Sequence, residues 1–150
     1  VKLFRQRWYM VGRNWPAGRD LVFSLDRIRD FRISSHTFKF SEDFDTQEYF
    51  NGCIGVIPGD RCGIEKVKIK VSSGQANYLR DLPLHESQQE TEQTDEYSIF
   101  ELHVRPTYDF QQELLWNGED LEVLEPLWLR KEIALMINRM CNKYKEQGRI

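Results

Sequence analysis

The stretch Lys66-Val67-Lys68-Ile69-Lys70-Val71 decides how most of this chain is read. Val67, Ile69 and Val71 alternate with three lysines, the period of a strand with one dry face and one wet, basic face. Downstream, Gly74–Asp81 fits a short helix that turns Ala76 and Leu79 inward, with Leu82 a third candidate and Pro83 as the stop. His85–Gln93 is almost wholly polar, so it is either an edge strand or a loop. Ser98–Pro106 is the clearest strand, with Phe100, Leu102 and Val104 facing in and Glu101, His103 and Arg105 facing out. Asp109 is placed to cap a helix over Phe110–Trp116, ended by Asn117-Gly118. Leu121–Val123 makes a short strand. Pro126 then sits at the start of a helix whose stripe is Leu129, Ile133, Met136, Ile137, Met140 and Tyr144. The order strand, helix, edge strand, strand, helix, strand predicts a ferredoxin-like (split βαβ) sandwich over 64–150, with a C-terminal helix added. No internal repeat is visible.

Upstream of this unit the residues are of another kind. Leu3–Phe4, Arg7–Val11 and Leu21–Ile28 read as short strands, and Asn14–Asp20 supplies the Pro and Gly of a hairpin. So few short strands bury too little to stand alone. Residues 41–63 read as a linker, with Ser41-Glu42-Asp43 and Asp45 as helix-start chemistry for a helix over Thr46–Phe50. Gly52, Gly55, Pro58, Gly59 and Gly63 then punctuate a loop. The chain opens Val-Lys-Leu-Phe-Arg, without an initiator Met or a signal-peptide core, and is expected to be a piece of a longer protein.

Charge is distributed in blocks. The 150 residues carry a net charge of -3, yet residues 1–40 hold nine Lys/Arg against three Asp/Glu. Residues 81–126 hold one basic side chain, Arg105, against thirteen acidic ones, and 127–150 hold six against two. Such blocks suggest modules with separate tasks. The basic opening segment is interleaved with Phe4, Trp8, Tyr9, Trp15, Phe23 and Phe31, a mixture that holds anions or a nucleic-acid strand by charge and stacking. The alternative is that its arginines are the solvated face of a sheet.

With 40% hydrophobic and 13% aromatic residues the chain can build a core, which excludes a disordered class. No run approaches the length of a membrane span, so no membrane partner is expected. Cys53, Cys62 and Cys141 lack CxxC spacing, and no His or Cys cluster suits a metal. They read as thiols of a reducing, cytoplasmic compartment, with a Cys53–Cys62 bridge around Gly59 as the alternative. There is no Gly-rich phosphate loop, no GxSxG and no HExxH. Glu101, His103 and Arg105 line one strand face where such groups are ordinarily solvated. Glu90, Glu92, Asp95 and Glu96 lack the order of a Ca²⁺ loop and serve to keep a sheet edge soluble. No enzyme, cofactor or metal is expected.

Two sets of residues carry a resemblance. Arg7-Trp8-Tyr9-Met10-Val11-Gly12-Arg13, followed by Phe23-Ser24-Leu25-Asp26-Arg27-Ile28, resembles the WYL domain of bacterial transcriptional regulators. Tyr78-Leu79-Arg80-Asp81 with Pro83-Leu84-His85 and Ser87-Gln88, and then Trp116-Asn117-Gly118 through Leu121-Glu122-Val123-Leu124-Glu125-Pro126, resemble the C-terminal extension of that domain. Met10 stands in place of the family's Leu, and Leu21 and Ser24 stand where Arg is frequent. The resemblance implies an α+β protein: the C-terminal part of an Sm/SH3-like β-barrel over 1–40, then the ferredoxin-like extension. It implies a ligand-sensing and dimerising regulatory region, a homodimer, whose ligand is a nucleotide or single-stranded nucleic acid. Promoter DNA would be bound only through an N-terminal helix-turn-helix absent from these residues. Carried onto this chain, Trp8, Tyr9, Arg13, Arg19 and Arg27 are the candidate ligand-binding residues. Each has a plainer role beside that one: Trp8 as barrel core, Arg27 as a partner of Asp26 or Asp30, Arg13 as a solvated cation. A second reading of the whole is an assembly module that senses nothing.

Overall fold

A computed structural model describes residues 1–14, 16, 18–39, 44–58 and 62–145. It is a mixed α+β structure with two antiparallel sheets and a C-terminal helix. The first sheet is a meander of β1 (Lys2–Phe4), β2 (Arg7–Asn14) and β3 (Arg19–Ser24), in that spatial order. Arg5 and Gln6 join β1 to β2 with φ of 46° and 64°, the left-handed pair of a two-residue hairpin turn. The sheet is open, and none of its residues is fully buried. The expected strand over Leu21–Ile28 stops at Ser24. There the Ser24 hydroxyl bonds to the Asp26 carboxylate, and Leu25–Arg27 turn into a 3₁₀ helix.

A short helix, α1 (Thr46–Tyr49), starts on Asp45, whose carboxylate accepts from the Gln47 and Glu48 amides. Trp15, Ala17, Ser41, Glu42, Asp43 and Gly59, read above as turn and helix-start residues, lie outside the described residues.

The second sheet holds the core. It is built from β4 (Glu65–Ser72), β5 (Gln89–Gln93), β6 (Tyr97–Val104) and β7 (Leu121–Glu125), in the order β5-β6-β4-β7. Helix α2 (Ser73–Asp81) follows β4, and α3 (Tyr108–Trp116) follows β6. Pairing Val67 with Leu102 and Ile69 with Phe100 sets the two alternating patterns on one face. Val67, Ile69, Val71, Phe100, Leu102 and Val104 close against Ala76, Leu79, Phe110 and Leu114 of the helices. The lysine face stays polar, with Lys66 to Glu101 at 3.5 Å and Lys68 to Glu125 at 3.7 Å. The polar stretch forms the edge strand β5, held by Arg80 on Glu90. Leu82 is 78% exposed rather than turned inward, because α2 ends one residue before it.

Helix α4 (Leu127–Lys145) buries Leu129 and Ile133 and packs Met136 partly against the core, while Ile137, Met140 and Tyr144 of its stripe are exposed. All three cysteines are thiols, so the Cys53–Cys62 bridge does not form.

Candidate functional site

Antiparallel pairing distributes four of the five candidate residues over the two faces of the first sheet, and the fifth, Arg27, lies in the 3₁₀ turn after β3. Tyr9 lies opposite Ser24 and Arg13 opposite Asp20, so both share a face with Val11 and Val22. Trp8 lies opposite Leu3, and Arg19 opposite Asn14, on the other face. Trp8 is 54% exposed there, so in this structure it is neither core nor part of the Tyr9 surface.

A hollow of about 520 Å³ runs along β3. Tyr9, Asp20, Val22, Ser24 and Arg27 form one side of it, and Val56, Ile57 and Pro58 the other. Of the candidate residues, Tyr9 and Arg27 come together here. Arg13 reaches Asp20 on the rim at 3.4 Å, while Trp8 and Arg19 are not among the lining residues. Arg27 is exposed and makes no hydrogen bond or ion pair among the described residues, whereas Asp26 is engaged by Ser24 and by Arg7 at 3.6 Å. The Ser24 hydroxyl, then a backbone hydrogen bond and last the charges of Arg7 and Arg27 hold the Asp26 carboxyl below its ordinary range. The hollow therefore offers a guanidinium with no hydrogen bond among the described residues, a phenol and an apolar wall. That combination suits a ligand with an anionic group and a flat ring.

The far wall of the hollow is hung from the second sheet's domain. Asp109 does not cap its own helix. Its carboxylate accepts from the Val56 amide at 2.7 Å and the Ile57 amide at 2.9 Å, and Thr107 takes the N-cap position instead. Gly55 is required by this approach, since a Cβ there would lie 2.0 Å from the Asp109 carboxylate. Lys2 of β1 donates to the Gly55 carbonyl at 2.7 Å and sits over the Phe50 ring. Burial lowers the Lys2 pKa, while the neighbouring Cys53 and Asp109 act in the opposite sense. Arg105, read above as a solvated outer-face residue, binds the same connector. Its amide donates to the Gly52 carbonyl, and its guanidinium to the carbonyls of Asn51 and Cys62. Glu101 pairs with Lys66 and His103 is exposed, so the three residues do not converge. Arg5 adds a bridge to Glu113 of α3 at 2.7 Å. Sequence reasoning missed Lys2, Asp109 and Arg105 in these roles, and read Gly52 and Gly55 only as punctuation of a loop.

Among the described residues no group of His, Cys, Asp and Glu is placed to hold a metal ion, and no helix is long and apolar enough to cross a membrane. Residues 64–141 match the family model of the WCX domain. The chain belongs to the WCX-domain family. The WCX match covers β4 to α4 and leaves the first sheet and the hollow outside it. No curated protein matches the chain. Among solved structures, it is similar to Proteasome accessory factor B/C (PafBC) of Arthrobacter aurescens, with a TM-score of 0.38 and 18% identity. That alignment covers 85% of this chain and 19% of the other, so the chain spans about a fifth of that protein's length.

Proposed function

We propose that this WCX-domain chain is the ligand-sensing and dimerising regulatory region of a bacterial WYL-type transcriptional regulator, acting in the cytoplasm and without catalysis. The observation that carries the sensing half is the hollow in which Tyr9 and the exposed Arg27 face an apolar wall tied to the WCX domain. The ligand is a nucleotide or a short single-stranded nucleic acid, with phosphate on Arg27 and a base against Tyr9. Residues 1–40 are read as the C-terminal part of an Sm/SH3-like barrel, 41–63 as the linker and 64–150 as the ferredoxin-like extension. The order β5-β6-β4-β7, with helices after the first and third of its strands in sequence, supports the last of these. Promoter DNA is contacted through a helix-turn-helix outside these residues.

The test is a titration with short single-stranded oligonucleotides and cyclic nucleotides at low and high salt. Saturable binding that weakens with salt, and at least tenfold with Arg27→Ala or Tyr9→Ala, is the expected result. Binding that is absent, or unchanged in both variants and in Arg13→Ala, ends the sensing reading. A pure assembly module is the second reading, favoured by the exposed residues of the α4 stripe. A dimer that responds to none of these ligands selects it.

A further inference from the structure

One peptide group joins the first sheet to the WCX domain at the edge of the hollow. The Gly55 carbonyl accepts from the Lys2 ammonium at 2.7 Å. The Val56 amide, the other half of the same planar unit, donates to the Asp109 carboxylate at 2.7 Å. A trans peptide points its C=O and N–H in opposite directions, so the cation and the anion hold it from opposite sides. Both bonds are charge-assisted, and each polarises the amide in the sense that strengthens the other. Lys2 is also the cross-strand partner of Tyr9, so the two side chains share one face of the first sheet. It is thus level with Tyr9 on the near wall and bonded to the peptide of Val56 on the far wall. Its ammonium is occupied there, 4.2 Å from the centre of the Phe50 ring, and Lys2 does not line the hollow.

We infer that Lys2 is a positioning residue of the hollow: through the Gly55–Val56 peptide it sets the gap between Tyr9 and the Val56–Ile57 wall, and so governs affinity for a ligand it does not touch. The inference rests on the proposed sensing function and names what holds its site to size. A ligand that meets both walls binds best when the gap is fixed beforehand, because a wall left free to move must be ordered at the moment of binding. Lys2 supplies that order from the sheet side and Asp109 from the helix side. Arg5, at the turn of the same hairpin, bridges instead to Glu113, one helical turn beyond Asp109 on α3. Its side chain is half exposed, and a bridge of that kind contributes little. Arg5 therefore carries the same charge on the same hairpin without holding the peptide.

The experiment is a titration of the whole chain and its variants with a short single-stranded DNA oligonucleotide over a range of salt concentrations, with circular dichroism to confirm folding. Lys2→Met keeps the stem, removes the ammonium and raises the dissociation constant about fivefold or more. The slope of log Kd against log salt is retained in Lys2→Met, since no phosphate contact is lost, whereas Arg27→Ala lowers it by about one. Lys2→Arg restores a charged donor and recovers part of the affinity, and Arg5→Met changes it by less than about twofold. Lys2→Met combined with Asp109→Asn weakens binding by less than the product of the single effects, because either change frees the same peptide. A Lys2→Met chain that binds as wild type does overturns the inference and leaves the sensing reading intact. An equal loss in Arg5→Met marks a bulk charge effect, and a slope lowered in Lys2→Met as in Arg27→Ala marks a phosphate contact; either overturns the inference alone. A wild type that binds no oligonucleotide overturns both.

Discussion

Replacing Asp109 with Ala is expected to release the far wall of the hollow while leaving the WCX core folded. The carboxylate holds two backbone amides, Val56 at 2.7 Å and Ile57 at 2.9 Å. Hydrogen bonds to a charged group contribute about 1.5–3 kcal/mol each in a protected setting. Val56 is half-buried and loses most of that, whereas Ile57 is exposed and finds water. The expected loss is therefore about 2–3 kcal/mol, concentrated in residues 52–58. The core is untouched, because Phe110 and Leu114 carry the packing of α3. Amide hydrogen exchange measured residue by residue is the assay. Val56 should exchange about thirtyfold to 150-fold faster and Ile57 less so, with Phe100 and Leu102 unchanged. Asp109→Asn keeps an acceptor oxygen and should fall between. Gly55→Ala should reproduce the Asp109→Ala pattern, since its Cβ cannot coexist with the carboxylate. Unchanged exchange at Val56 in both Asp109→Ala and Gly55→Ala would refute the wall's attachment to α3.

Other outcomes follow from single contacts. Gln6→Gly, at φ 64°, should stabilise the β1–β2 turn by about 1 kcal/mol, read as a higher urea midpoint. Phe100→Ala should cost about 3–5 kcal/mol in urea unfolding, because the ring is 1% exposed at the centre of the sheet. The Glu90 carboxyl, held by Arg80 and then by Ser98, is lowered to about 2, and nuclear magnetic resonance titration should place its inflection there. A depressed carboxyl contributes stability above its unfolded value near 4.5 and loses it as pH falls through about 2. Arg80→Ala should therefore return the Glu90 inflection towards 4.5 and flatten the acid limb.

Much of the WCX fold was legible because Val67, Ile69 and Val71, and Phe100, Leu102 and Val104, alternate cleanly and bury a single face. Their pattern needs no partner to be recognised. What was not legible depends on tertiary context. Asp109 has the look of a cap, yet its partners lie 52 and 53 residues upstream, and Thr107 starts the helix instead. Leu25 and Arg27 continue a strand's alternation, but the bond between Ser24 and Asp26 turns the chain at that point. Arg5-Gln6 carries none of the usual residues of a tight hairpin, so the β1–β2 turn went unread. Of the residues that line the hollow, Tyr9 and Arg27 were singled out from a motif, while Val56–Pro58 opposite them carry no local mark of a wall.

Nuclear magnetic resonance mapping of a short single-stranded oligonucleotide onto the isotopically labelled chain tests the sensing claim most directly. Shifts confined to Tyr9, Val22, Ser24, Arg27, Val56 and Ile57, fading as salt is raised, are expected. Shifts elsewhere on the surface, or none at saturating oligonucleotide, would contradict it.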